Sequence, residues 1–201
     1  MANEPPNWDV FDKHGPATDG RRFGIYTSTG SINRFCARYR VAKALEGLAL
    51  KDFSTATEPG YLALTRMLFC YSAFELFLAA IGLKPKKTLP LLTKYPVSDW
   101  VRDLRIADAG DITYNFLLTH ASPDAAHKTH ISAYLAGTDF NYIYLASMVR
   151  HGFAHGHLTP SAGKAPPGQI ESVCEVLRMS LFEIMDLEFT DRMKELKRVA
   201  T

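Results

Sequence analysis

Residues 61 to 83 read Y-L-A-L-T-R-M-L-F-C-Y-S-A-F-E-L-F-L-A-A-I-G-L. No other stretch limits the fold as strongly. A run this long and apolar is either a membrane span or the centre of a helical core. Arg66 and Glu75 stand inside it, and they decide between the two. A basic side chain at mid-bilayer costs about 2.5–3.5 kcal/mol on the insertion scale. The run is therefore expected to be the central helix of a soluble bundle in the cytoplasm, with no membrane partner. Pro59 is placed for a first helical turn and Gly82 for the end.

The flanking sequence supplies further helices. Behind Ser31, expected as an N-cap, Ile32, Phe35, Cys36, Tyr39, Ala42, Leu45 and Leu48 recur at helical spacing. The opposite face carries Arg34, Arg38, Arg40 and Lys43. It is either a solvated surface or one that faces RNA. Shorter helices are expected from Leu89 to Tyr95, after Ser98, from Asp111 to His120 and from Pro123 to Leu135. Gly137 breaks the chain, and Thr138 or Asp139 is expected to cap the next helix. The last helix spans Gln169 to about Ala200. No strand-like alternation exceeds a few residues. A chain of 201 residues with 47% hydrophobic content can bury one core. The expected fold class is all-α: a helical bundle over residues 31–201, built on four long helices plus short helices. Residues 1–30, rich in Pro, Gly, Asp, Asn and Thr, read as a flexible N-terminal arm that Trp8 and Phe11 can pin to the body.

Charge narrows function only a little. The net charge is +2, too small to announce a nucleic-acid binder by bulk electrostatics. The N-terminus lacks a basic segment followed by an apolar run, so no signal peptide is expected. Cys36, Cys70 and Cys174 have no CxxC spacing and read as buried free thiols of a reducing compartment.

The chemistry-bearing stretch is V-R-H-G-F-A-H-G-H-L-T-P, residues 149–160. It follows the apolar, aromatic run F-N-Y-I-Y-L-A-S-M. An arginine and three histidines thus emerge at the end of a core helix. His151 and His155, four residues apart, share a helical face. Arg150 and His155 lie about 140° apart on an ideal helix, so Arg150 must swing round, or Gly152 and Gly156 must bend the backbone. Two glycines in five residues, each weakening a helix by about 1 kcal/mol, mark a place where the backbone runs close to something. A histidine moves protons near neutral pH, and a guanidinium binds phosphate with two parallel donors. Together they suit phosphodiester cleavage by the neighbouring 2′-hydroxyl of RNA, with no metal or other cofactor. Glu75 needs a cation nearby. That cation is either Arg66, as a structural partner, or the motif itself, with Glu75 orienting Arg150 or His155 and Tyr71 joining one turn earlier.

The run from Arg150 to His155 resembles the signature of the HEPN superfamily: an Arg, then Asn, Asp or His, three further residues and a His. The helical order over roughly residues 31–199 is also similar in general pattern. The resemblance implies a metal-independent endoribonuclease of toxin or antiviral-defence type. It further implies a homodimer that brings two motifs to one cleft, and an antitoxin or regulatory partner protein. Carried over by position, His155 is the general base or acid, Arg150 holds the phosphate and His151 supports both. Where some members carry a modifiable Tyr, this chain has His157, which argues against regulation at that place. Arg34, Arg38, Lys86 and Lys87 are expected to contact RNA.

Three rival readings remain at this point. His151, His155 and His157 could bind zinc, but Gly152 stands where the HExxH motif needs Glu, and no metal is expected. A non-catalytic module for dimerisation, or for binding a nucleotide or RNA, is the main alternative. A DNA-binding protein is the third, although no helix-turn-helix pair is visible. His120, His127 and His130 read as structural or surface histidines.

Overall fold

The computed structural model describes residues 3–54 and 57–201. In chain order its helices are α1 (Trp8–His14), α2 (Thr29–Ala44), α3 (Glu58–Ala80), α4 (Leu89–Leu92), α5 (Val97–Ala107), α6 (Ile112–His120), α7 (Ala125–Ala136), α8 (Ile143–Ala154) and α9 (Gln169–Ala200). Short 3-10 turns join several of them, and no strand occurs among the described residues. The fold is an all-α bundle.

The apolar run forms α3, which packs against α2, α8 and α9. By length and composition α3 could also cross a bilayer. In the bundle its Leu64, Met67, Cys70, Phe74 and Phe77 are fully buried, and both of its interior charges find protein partners. Arg66 donates to the carbonyl oxygens of Leu45 (2.7 Å) and Glu46 (3.0 Å), so it is not the partner of Glu75. Gly82, at φ +74, closes the helix as expected. The Gly82 and Leu83 N–H groups donate to the carbonyls of Ala79 and Leu78. Aromatic contacts knit the core: Phe35 of α2 meets Phe77 of α3 and Phe189 of α9 at centroid distances of 5.2 and 5.9 Å. All three cysteines are free and buried, and burial pushes the Cys36 thiol up to about 12.

Several boundaries differ from expectation. α2 starts at Thr29, because the Ser28 carbonyl already receives the N–H groups of Ser31 and Ile32. It stops at Ala44, where Leu45 turns extended and the Arg66 guanidinium takes the next two carbonyls. α8 begins later than Thr138 or Asp139. Buried Asn141 does the capping: its Oδ1 accepts the Ile143 N–H at 3.1 Å, and its Nδ2 donates to Thr88 Oγ1 at 3.0 Å.

The N-terminal segment departs most. In place of an arm with little regular structure, residues 8–23 hold α1 and two 3-10 turns. Trp8, Val10, Phe11, Phe23 and Ile25 are buried, and Trp8 stacks on Phe189 at 5.8 Å. The polar, Pro- and Gly-rich composition hid a few apolar residues whose burial against α9 outweighs the weak local propensity.

Candidate active site

α8 runs antiparallel to α3, since Asn141 at its start meets Pro85 beyond the end of α3 and Arg150 near its end meets Glu75. Its apolar residues Ile143, Leu145, Ala146, Met148 and Val149 enter the core. The positions between them make a polar stripe of Tyr144, Ser147, His151 and His155 at helical spacing.

Both glycines of the motif have structural reasons. A Cβ on Gly152 would lie 2.6 Å from Leu117 Cδ2 of α6 and 3.3 Å from Leu158 Cβ. Gly152 therefore lets α8 press onto α6 while the chain folds back over it. Gly156 takes φ +75, the left-handed conformation that ends a helix. Its N–H donates to Phe153 O, and that of His157 to Gly152 O at 2.8 Å. The reversal leaves His155 at the C-cap of α8, with His155 and His157 both exposed.

Arg150 faces α3. Its Nη2 donates to Glu75 Oε2 at 3.4 Å, with the two side chains 34% and 42% exposed. Glu75 is thus half open rather than buried in the core, and its partner is the motif. Burial still holds the Glu75 carboxyl above its usual range, and Arg150 partly offsets this. The Tyr71 ring lies under the guanidinium at 6.0 Å. The Tyr71 hydroxyl neighbours Ser147 and also feels the charges of Glu75 and Arg150. Arg150 Nε is buried without a hydrogen-bond partner among the described residues.

The imidazoles form a row. The ring centroids of His151 and His155 are 4.4 Å apart, and those of His151 and His127 are 5.9 Å apart. His151 titrates below the ordinary histidine range. Burial is the main cause, followed by the charges of His155, His127 and Arg150. His127, on α7, is the structural histidine expected, held by Asp124 and Ser147, and it also joins this row. The signal lay in its own sequence context: Asp124 three residues earlier, and a polar stripe on α8 waiting for a partner helix.

Arg34 and Arg38 line a cleft of about 590 Å³ between α2 and α3 together with Ser72, Glu75 and Leu76. Glu75 therefore touches both this cleft and Arg150, and the basic face of α2 adjoins the motif. Lys86 and Lys87 are exposed in the 3-10 turn Pro85–Lys87, beside the start of α8. They sit at the opposite end of that helix from His155, away from the cluster. Among the described residues no hydrogen bond or ion pair joins Arg150 to His155, and no group of three or more metal-ligating side chains is arranged to hold an ion.

No protein-family model, curated protein or solved structure matches this chain, and the chemistry of the site is read from its own residues.

Proposed function

We propose that the chain is a metal-independent endoribonuclease of the HEPN type that its motif resembles, acting as a homodimer. One observation carries the reading. The end of α8 carries both a guanidinium held by a carboxylate on α3 and a pair of imidazoles 4.4 Å apart, of which His155 is exposed. Arg150 binds the non-bridging phosphoryl oxygens and stabilises the charge that builds on them. A neutral histidine takes the proton of the 2′-hydroxyl, and His151 is biased toward neutrality by its surroundings. The 2′-oxygen bonds to phosphorus as the bond to the 5′-oxygen breaks, and a protonated histidine supplies the leaving oxygen with its proton. His155 is exposed, and in this reading it meets the RNA. Arg150 turns toward α3 while His155 faces solvent, which suits a site completed across two copies. Arg34 and Arg38, along the adjoining cleft, guide the strand by phosphate contacts. A toxin or defence role with a restraining partner follows from the resemblance alone.

The test is the chemistry of the products. RNA should be cut to 2′,3′-cyclic phosphate and 5′-hydroxyl ends, and DNA of the same sequence should stay intact. RNA bound but uncut would favour a binding module instead. Ends of 3′-hydroxyl and 5′-phosphate would exclude 2′-hydroxyl attack.

A further inference from the structure

Behind the motif lies an array that the cleavage scheme does not use. Asp124 caps α7, and its Oδ1 accepts the backbone N–H of His127 at 2.9 Å. The same oxygen lies 3.0 Å from His127 Nδ1. On the other side, His127 Nε2 is 3.0 Å from Ser147 Oγ of α8. The His127 side chain is only 13% exposed. Ser147 neighbours the Tyr71 hydroxyl, and the Tyr71 ring carries Arg150. The face of His127 stacks on His151, with the ring planes 29° apart.

These contacts favour one place for the ring hydrogen. An ionised carboxylate only accepts hydrogen bonds, so with Asp124 Oδ1 at 3.0 Å the hydrogen is favoured on His127 Nδ1. In the neutral ring with its hydrogen on Nδ1, Nε2 has a lone pair that Ser147 Oγ–H meets at 3.0 Å. We infer that Asp124, His127 and Ser147 form a positioning array that locks the neutral Nδ1–H tautomer of His127 and, through Ser147 and the His151 ring, sets the geometry of the cleavage residues. This rests on the ribonuclease reading above. His127 touches no substrate in this scheme; it acts through Ser147, Tyr71 and His151. The groups that face it are Asp124 and His130 from α7, and Tyr144, Ser147 and His151 from α8. A proton on Nε2 would reverse the bond to Ser147 and set a cation against His151.

The experiment joins nitrogen NMR of histidine-labelled protein with RNA cleavage kinetics. In the wild type, His127 is expected as the Nδ1–H tautomer at neutral pH, and Asp124→Asn should give a mixture. His127→Ala should lower kcat by about 10²-fold with KM little changed, and should shift the acid limb of the pH profile. In His127→Gln the side-chain oxygen replaces the Nε2 acceptor, and most of the rate should return. Circular dichroism guards against loss of fold, and His127→Gln serves as the reading if His127→Ala does not fold. A mixed tautomer in the wild type overturns the inference. So does His127→Ala cutting at full rate while Arg150→Ala is inert. If Arg150→Ala itself cuts at full rate, the ribonuclease reading falls, and the array's catalytic meaning falls with it.

Discussion

At His151, burial and the neighbouring charges act in the same direction. Burial, then His155, His127 and Arg150, all disfavour its protonated form. His130 is lowered in the same direction by burial and by His127. The sign of the linkage follows. The unfolded chain takes up protons at the ordinary value of 6.5, before the folded chain does. The stability from these two residues is complete above 6.5 and declines as pH falls through their lowered folded values. Urea midpoints should therefore drop on acidification below about pH 6.5, and the drop should shrink in His151→Asn. Removing the His155 charge by His155→Ala should move the His151 titration, followed by proton NMR, back toward its ordinary range. Glu75→Gln tests the other half of the site. The ion pair is partly exposed, so its loss should change stability by no more than about 1 kcal/mol. Cleavage should nonetheless fall by about 10²-fold, because Arg150 loses the group that aims it.

At the scale of the element, α8 explains why the motif has its glycines. Gly152→Ala forces a methyl against Leu117 and Leu158 and should cost about 1–3 kcal/mol by overpacking. Gly156 has open space around it, so Gly156→Ala should cost only the left-handed strain of about 1–2 kcal/mol, and Gly156→Asn less. Thermal melts of the three variants separate the two causes. Much of this element was legible beforehand. The apolar spacing, the shared face of His151 and His155 and the crowded backbone could all be read from residues 143–156. The start of α8 could not, because Asn141 caps it through a contact with Thr88, more than fifty residues away. Nor could the partner of Glu75 be chosen, since the sequence favours Arg66 as a structural partner and only the laying of α8 against α3 selects Arg150.

The bundle as a whole is held by α3 and α9, and the N-terminal segment belongs to it. Phe11 is 3% exposed, and Phe11→Ala should destabilise the entire fold by about 3–5 kcal/mol in a single urea transition. A flexible arm would leave the midpoint unchanged. Composition misled here because a sequence full of Pro, Gly and Asp can still order itself when a long neighbouring helix offers Phe189 as a platform. The all-helical class was legible from periodicity alone. The meeting of His127 with His151 was not, because it depends on how α7 crosses α8, and no local pattern encodes that angle. The failure of Lys86 and Lys87 to join the site has the same origin: charge is visible in sequence, but the end of the bundle it occupies is not.

The most direct measurement is cleavage of end-labelled RNA in excess chelator by the wild type, Arg150→Ala and His155→Ala, each checked for helix content by circular dichroism. The wild type should cut without metal, and each folded variant should lose at least about 10²-fold in rate. Cleavage by either folded variant at the wild-type rate, or intact RNA with the wild type, would contradict a ribonuclease site built on Arg150 and His155.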